Sequence, residues 1–163
     1  MPSLTVSWSD PKALAQAGRS MPGIDFLRAM IEGRFEAPPI ARLLGFRLAQ
    51  VDHGLAVFEC TPGEQHYNPI GVVHGGLAMT LLDSAMGCAV HTQMPAGTGY
   101  TTLEAKTNLV RAITAQTGPL RATGRVVHAG RSVATAEGRI EDAAGRLYAH
   151  ATTTCLILAA ARD

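Results

Sequence analysis

Residues 77–91, with the sequence LAMTLLDSAMGCAVH, decide the fold because they predict one long helix that is apolar on nearly every face. A helix that is apolar all round is buried inside a protein. The turn His74-Gly75-Gly76 precedes it, and the stretch from Pro95 to Gly99 ends it. The rest of the chain is therefore expected to pack around a single central helix.

Strand-like segments flank this helix on both sides. Two precede it, at residues 46–51 and 55–60, and four rich in Val, Thr, Ile and Ala follow it, at residues 100–110, 120–127, 132–141 and 147–158. Consecutive strands joined by short turns pair antiparallel. We therefore predict an α+β fold in which an antiparallel sheet wraps around one long central helix. Its exposed edges favour oligomerisation.

Residues 1–37 are predicted to form an N-terminal arm with a short helix, and residues 38–163 the main domain. Prolines interrupt residues 1–22, where a short helix is predicted around residues 11–16. Apolar residues at helical spacing predict a further helix over residues 24–31. A single helical turn over residues 40–44 would end at Gly45. The sequence assigns no function to residues 1–37.

Composition excludes several functional classes. The chain has 163 residues, of which 47% are hydrophobic and 17% charged, with a net charge of +1. So small a net charge does not indicate binding to nucleic acid or to an anionic membrane surface. No apolar run reaches the ~18 residues that a membrane span needs. The three cysteines, Cys60, Cys88 and Cys155, lack the spacing of a metal or redox motif, which predicts free thiols. The sequence does not open with the pattern of a secretory signal, and we therefore predict a cytoplasmic protein.

Asp83 is the conspicuous residue of the central helix. It lies between apolar neighbours, where a carboxylate is costly to bury unless it has partners. One interpretation places it in a solvated strip with Thr80 and Ser84. The other makes it a catalytic carboxylate.

The Gly75-Gly76 pair offers a complementary group at the start of the helix. Backbone N–H groups at a helix N-terminus are free to polarise a carbonyl and stabilise an oxyanion, although such a pair can also be a plain tight turn. Gly75 and Asp83 are ~12 Å apart along a continuous helix, so they cannot act on one carbonyl carbon from the same chain. If they cooperate, they must belong to different subunits of an isologous dimer.

The run Asn68-Pro69-Ile70-Gly71-Val72-Val73-His74-Gly75-Gly76, followed by Asp83 and Gly87, resembles the hotdog-fold acyl-CoA thioesterases. The likeness is to the phenylacetate-pathway (PaaI-like) branch of the 4-hydroxybenzoyl-CoA thioesterase superfamily, and it covers residues 38–158. It implies hydrolysis of an acyl-CoA substrate to a free acid and CoA, without a metal or redox cofactor. It also implies an obligatory homodimer, and we predict a homotetramer.

The resemblance also implies roles for the catalytic residues. The Gly75 N–H would bind the thioester oxygen, with Asn68 and His74 shaping that site. Asp83 of the facing subunit would act as a general base or as a nucleophile. Thr102 or Thr101 would hold the water. Because alternation places these two on opposite faces of a strand, only one can serve, and we favour Thr102.

The CoA contacts are predicted at a turn near residue 130. Gly130, Arg131 and Ser132 occupy it, and a guanidinium suits phosphate, although a solvated turn arginine is an equal interpretation. Gly76 and Thr101 complete the predicted substrate contacts. The histidines lack metal-ligand spacing, so no metal site is predicted.

Two other functions compete with the thioesterase. The segment His66-Tyr67-Asn68-Pro69 has a passing likeness to the His-Phe-Pro segment of acyl-thioester dehydratases or hydratases, but His-Gly-Gly is not their signature. A non-catalytic acyl-CoA-binding protein would have no need for Asp83. The acyl group stays open, because apolar residues of the helix could line a pocket or belong to the core; these are Leu77, Met79, Leu82 and Met86.

Overall fold

The computed structural model describes residues 1–158, so residues 159–163 of the predicted domain lie outside the described residues. The helices are α1 (Pro11–Ser20), α2 (Gly23–Ile31), α3 (Pro39–Leu44) and α4 (Gly75–His91). The strands are β1 (Phe46–Asp52), β2 (Leu55–Cys60), β3 (Gly99–Leu109), β4 (Leu120–Ala129), β5 (Val133–Asp142) and β6 (Leu147–Leu158). Among these helices, none combines the length and the hydropathy required to cross a membrane.

The six strands form one antiparallel sheet in the order β1-β2-β4-β5-β6-β3, packed on α4, which confirms the predicted architecture. The expectation that consecutive strands pair is wrong for β3, which pairs with β6 instead of β4. The connection from β3 to β4, residues 110–119, contains a 3-10 helix and is longer than a hairpin turn. It allows β4 to pair with β2, which leaves β3 at one edge of the sheet.

Helix α4 lies so close to the sheet that two strands carry glycine beneath it. A Cβ atom at Gly124 of β4 would overlap the backbone carbonyl oxygen of Ala85. A Cβ atom at Gly138 of β5 would lie 2.9 Å from the Leu82 side chain. The close approach buries one side of α4 completely, including Leu81, Leu82, Met86 and Val90.

One stripe of α4 is left uncovered by the rest of the chain. Gly76, Met79, Thr80 and Asp83 follow one another at the i, i+3, i+4, i+7 spacing of a helix face, and each is exposed or half-buried. Met79 is 49% exposed, whereas Leu77, Leu82 and Met86 are core residues. The helix that the sequence predicts to be buried all round therefore has one accessible face, and that face contains Asp83.

Helix α2 packs against the C-terminal end of α4. The Gly23 N–H donates to the Met94 carbonyl oxygen at 2.9 Å, and a Cβ at Gly23 would overlap the His91 backbone. Phe26, Leu27 and Ala29 are buried. Helix α1 begins after Asp10, whose side chain accepts the Lys12 N–H, but it buries no residue fully. The boundary between residues 37 and 38 stays a prediction.

We expect Gly124→Ala to lower the free energy of unfolding by about 3 kcal/mol, because the new methyl group meets the backbone of α4, which cannot move aside. Gly138→Ala is the matched control. Its methyl group meets the ends of the Leu82 and Met86 side chains, which can rotate, so we expect a loss of about 1 kcal/mol. Urea unfolding of the two variants measures the difference, and equal losses would contradict the backbone contact.

Candidate active site

The start of α4 is built around His74. Its backbone is extended (φ −61°, ψ 133°), and its ring Nδ1 accepts the Gly76 N–H at 2.9 Å, which caps the helix. Gly75 is the first helical residue, where an N–H has no partner within the helix. The Gly75 N–H has no hydrogen-bond acceptor among residues 1–158. The predicted oxyanion donor is therefore a free backbone amide at the positive end of a helix.

Asn68 braces the loop that leads into this helix. Its side-chain oxygen accepts the N–H groups of Ile70 (3.1 Å) and Val72 (3.3 Å), and its backbone N–H donates to the Val72 carbonyl at 2.8 Å. Both groups thus hold a tight turn in place. The Asn68 amide nitrogen takes no part in these contacts, which leaves its N–H groups for a ligand.

Asn68, His74 and Gly75 line one cavity of about 330 Å³. Leu109 of β3 closes it from the side, since a Cβ at Gly75 would lie 2.5 Å from its Cδ1 atom. Arg111 also lines this cavity, with its guanidinium carbon 5.7 Å from the ring centroid of Tyr148. A bare amide and a guanidinium therefore share one opening, an arrangement suited to an anionic or polarised ligand.

Asp83 lies in a second cavity of about 400 Å³, between α4 and β3. The Thr102 hydroxyl donates to Asp83 Oδ1 at 2.9 Å. Thr101, the next residue on β3, is exposed, while Thr102 is half-buried towards α4. Of the two candidate threonines, Thr102 is the one that contacts the acid.

The two cavities share no lining residue. Within one chain, the geometry therefore separates the predicted acid from the predicted oxyanion donor, as the length of the helix requires. Gly76 lies between them, with its N–H bonded to His74. We refer to these two separate cavities as the candidate half-sites.

Exposed apolar side chains surround these half-sites. Met79 of α4, and Leu103 and Leu109 of β3, are each about half exposed. Ile70, on the loop before the helix, is 84% exposed. Strand β3 is also an edge strand whose outer side pairs with no other described strand. Exposed apolar side chains beside a free sheet edge are typical of an interface.

The predicted CoA contacts lie elsewhere. Gly130 and Arg131 line a cavity of about 440 Å³ with His53, and the Ser132 carbonyl accepts the Ile157 N–H at 2.9 Å. The Arg131 side chain is exposed. This cavity shares no lining residue with the 330 Å³ cavity at Gly75 or with the 400 Å³ cavity at Asp83. Within one chain, the structure does not bring these residues together with the predicted catalytic ones.

A larger cavity of about 480 Å³ lies beside Asp83 and was not anticipated from the sequence. Asp83, Cys88, His91 and Tyr100 line it from α4 and β3, and residues of α1, α2, β1 and β2 and residues 38–40 line it as well. Burial lowers the pKa of His91, raises the pKa of Cys88 to about 12, and raises that of Tyr100 well above its usual value. The interior of this cavity therefore favours uncharged groups.

Comparison with known proteins identifies the family. A family model described as the thioesterase superfamily matches residues 70–149. A Saccharolobus solfataricus protein that carries the name of an esterase is 31% identical over 134 residues, which is 82% of this chain and 94% of the relative. The chain therefore belongs to the thioesterase superfamily, and the protein is an enzyme that hydrolyses thioesters.

Solved structures agree with this assignment. A phenylacetic acid degradation-related protein from Ralstonia eutropha has 29% identity and a TM-score of 0.72, over 80% of this chain and 98% of that one. A conserved protein from Pseudomonas aeruginosa has 29% identity and a TM-score of 0.70, over 75% and 95%. The E. coli PaaI protein has 23% identity and a TM-score of 0.72, over 82% and 94%, and this likeness confirms the hotdog fold.

We expect Thr102→Val to lower kcat for thioester hydrolysis about tenfold, because a hydrogen bond to a charged carboxylate would be lost from Asp83. Thr101→Val is the matched control and is expected to leave kcat unchanged, because Thr102 and not Thr101 contacts Asp83 and a lost substrate contact would raise KM instead. Thiol release under saturating substrate measures both variants. If the Thr101 variant were the slower one, the assignment of Thr102 to the site would be wrong.

Proposed function

We propose that the protein hydrolyses acyl-CoA thioesters at two equivalent sites, each shared between the subunits of a homodimer. Asp83 of one subunit activates water or attacks the carbonyl carbon. The Gly75 N–H of the other subunit binds the carbonyl oxygen. The observation that carries this proposal is the accessible face of α4, which contains the acid and begins next to the free Gly75 amide.

The position of Met79 on this face supports one symmetry for the proposed dimer. Met79 lies midway along the sequence between Gly75 and Asp83. A two-fold axis through Met79 pairs the two α4 helices antiparallel, so that Gly75 of each subunit approaches Asp83 of its mate. The exposure of Met79, an apolar side chain, supports this placement, because the mate would cover it.

The edge of the sheet supports the same dimer. In the proposed dimer, β3 of each subunit lies beside its mate, and the exposed Leu103 and Leu109 become buried. Both are on the strand that provides Thr102 to Asp83 and that closes the Gly75 cavity. One interface therefore covers the apolar surface and completes both sites.

The chemistry follows from these groups. As a water oxygen bonds to the thioester carbon, its proton passes to the Asp83 carboxylate, and the developing oxyanion is stabilised by the Gly75 N–H. The C–S bond then breaks, and the CoA thiolate takes up the proton. Alternatively, Asp83 attacks first, releases CoA and forms an anhydride that water hydrolyses. Thr102 orients the carboxylate in either route.

The CoA portion lies outside the catalytic centre in this proposal. Arg111 is next to the Gly75 cavity and is placed to attract a phosphate. Arg131, with Gly130 and Ser132, remains the proposed contact for the nucleotide end. Because both guanidinium groups are near the surface, each would contribute mainly through charge and would be screened by salt.

A dehydratase on the same fold is disfavoured by His66. Its ring is 8% exposed, and Nδ1 accepts the Gly63 N–H at 3.1 Å. Burial lowers the pKa of His66, which fits a neutral structural ring. An acid–base histidine would need to reach a substrate.

The symmetry can be tested by cross-linking. We expect Met79→Cys to form a covalent dimer on mild oxidation or with a short bis-maleimide, because the axis places the two thiols face to face. Lys12→Cys, on the exposed part of α1, and the wild type serve as controls that should remain uncross-linked. The readout is non-reducing gel electrophoresis. A protein that stays dimeric in solution but gives no cross-link would contradict the axis at Met79.

The shared site can be tested by subunit complementation. We expect Asp83→Asn to lower kcat at least about 100-fold, as loss of a general base does. Gly75→Pro should lower it by about 100-fold as well, because proline removes the N–H yet is tolerated at the first helical position. The extended backbone of His74 is compatible with a following proline. Gly75→Ala adds the same Cβ atom beside the end of the Leu109 side chain but retains the N–H, so it is the matched control and should lose much less activity than Gly75→Pro.

Refolding equal amounts of the two inactive variants together should recover about a quarter of the wild-type activity, since half the dimers then contain one intact site of two. Asp25→Asn on α2 is a control for loss of a surface carboxylate. Recovery is measured as thiol release from acyl-CoA. No recovery from a mixture shown to contain mixed dimers would contradict a site divided between subunits.

A further inference from the structure

The cavity beside Asp83 extends away from the accessible face of α4 towards its C-terminal end. It begins at Asp83 and Thr102 and reaches His91, eight residues further along the helix. That distance is ~12 Å along the axis of a helix. With about 480 Å³, the cavity has the size of a small-molecule site and a length that suits an extended chain.

Helices α1 and α2 provide a large part of the lining of this cavity, together with residues 38–40 and apolar residues of β1 and β2. Pro11, Leu14, Ala15 and Gly18 of α1 line it, and they follow the i, i+3, i+4, i+7 spacing of one helix face. Phe26 and Met30 of α2 lie beside them. Residues 11–30 are outside the segment that the thioesterase family model matches, residues 70–149.

Helix α1 has an unusual environment for an amphipathic helix. It is held at its C-terminal end, where the Arg19 carbonyl accepts the Gly97 N–H at 2.9 Å, and by Gly18 against the Phe26 ring. Its apolar face nevertheless contains no buried residue, because it faces the cavity instead of the core. An apolar occupant would remove this face from water, which is a favourable change.

The lining contains few charged groups. Asp83 at one end and Arg19 on the rim are the only Asp, Glu, Lys or Arg residues that line the cavity within residues 1–158. The rings of Phe26, His91 and Tyr100 contact one another in sequence, with centroid distances of 5.9 Å and 5.6 Å. An acyl group with a terminal carboxylate would find no cation in the interior.

We propose that this cavity binds the acyl group of the substrate, and that α1 and α2 make the enzyme selective for unbranched aliphatic acyl chains of medium length. This inference rests on the proposed acyl-CoA thioesterase function. Asp83 lies at the end where the thioester carbon would be, and the chain extends from there along α4 towards His91. Leu14 and Phe26 contact its distal half.

An aromatic acyl group fits the same cavity less well. A single ring next to Asp83 would fill only the part near Ser84 and Thr102. The apolar face of α1 would then remain in contact with water. A medium-length chain would fill both the part near Asp83 and the part beside α1. Its higher kcat/KM should therefore come from the methylene groups that reach α1.

The first experiment compares wild-type kcat/KM for acetyl-, butanoyl-, octanoyl-, palmitoyl- and phenylacetyl-CoA. We expect about a threefold rise for each methylene group added up to octanoyl, followed by a fall at palmitoyl. Octanoyl-CoA should exceed phenylacetyl-CoA by at least about tenfold. A profile that is flat with chain length, or that peaks at phenylacetyl-CoA, would overturn the proposal.

The second experiment shortens the cavity from α1. Leu14→Trp should lower kcat/KM for octanoyl-CoA by about tenfold while leaving butanoyl-CoA unchanged, because only the longer chain reaches α1. Ala13→Trp is the matched control, since Ala13 is exposed on the same helix and does not line the cavity. If both variants changed the chain-length profile equally, or if neither did, the proposal would be wrong.

A binding measurement separates this proposal from the proposed function. S-octyl-CoA and S-ethyl-CoA are thioethers without a carbonyl group to hydrolyse, and calorimetry gives their affinities. We expect S-octyl-CoA to bind at least about tenfold more tightly, and Leu14→Trp to reduce the difference by weakening only the binding of S-octyl-CoA. Equal affinities in the wild type would overturn the acyl pocket. Chain-dependent binding without thiol release from any acyl-CoA would instead overturn the proposed hydrolysis and leave the pocket in place.

Discussion

The length of α4 between Gly75 and Asp83 is the constraint on which the rest of this structure depends. A continuous helix holds the two residues ~12 Å apart, and α4 cannot bend to shorten that distance because its opposite side packs on Gly124 and Gly138. The chain therefore presents an acid and a free amide as separate half-sites. This explains why Met79, between them, is exposed in a helix that is otherwise largely buried. An exposed apolar side chain such as Met79 is unfavourable in a single chain. In the proposed dimer it would be buried in the interface that completes the site.

Much of this arrangement could be predicted from local sequence. The apolar pattern predicts the helix over residues 77–91, and the turn residues predict most strand limits. The structure begins the helix two residues earlier, at Gly75. Glycine is a poor helix former, so the pattern could not extend to it. That small difference matters, because it makes the Gly75 N–H the first amide of the helix. The next amide, that of Gly76, donates to the His74 ring, so the Gly75 N–H is the one left free.

Two features could not be predicted from the sequence, for different reasons. The pairing of β3 with β6 depends on a ten-residue connection that takes the chain from β3 to β4 at another place in the sheet. Such non-local pairing cannot be recognised from the sequence of either strand alone. The stripe of Leu14 and Gly18 on α1 has the spacing of a core-facing helix. Nothing in that spacing tells whether the stripe faces other side chains or an open cavity. Only the positions of α2 and α4 show that it faces a cavity.

The distribution of charge around Asp83 connects the two parts of the proposed substrate site. Thr102 and Thr80 lie beside the carboxylate on the side where water would enter in the proposed mechanism, whereas Cys88, His91 and Tyr100 make the other side unfavourable for ions. Hydrolysis at this proposed position would create a second carboxylate next to the first. Like charges repel at short range, and the described lining residues of the interior offer no cation to compensate. A neutral thioester would therefore be accepted where its acidic product would not. The same pocket that would select the acyl chain would favour release of the acid after the C–S bond has broken.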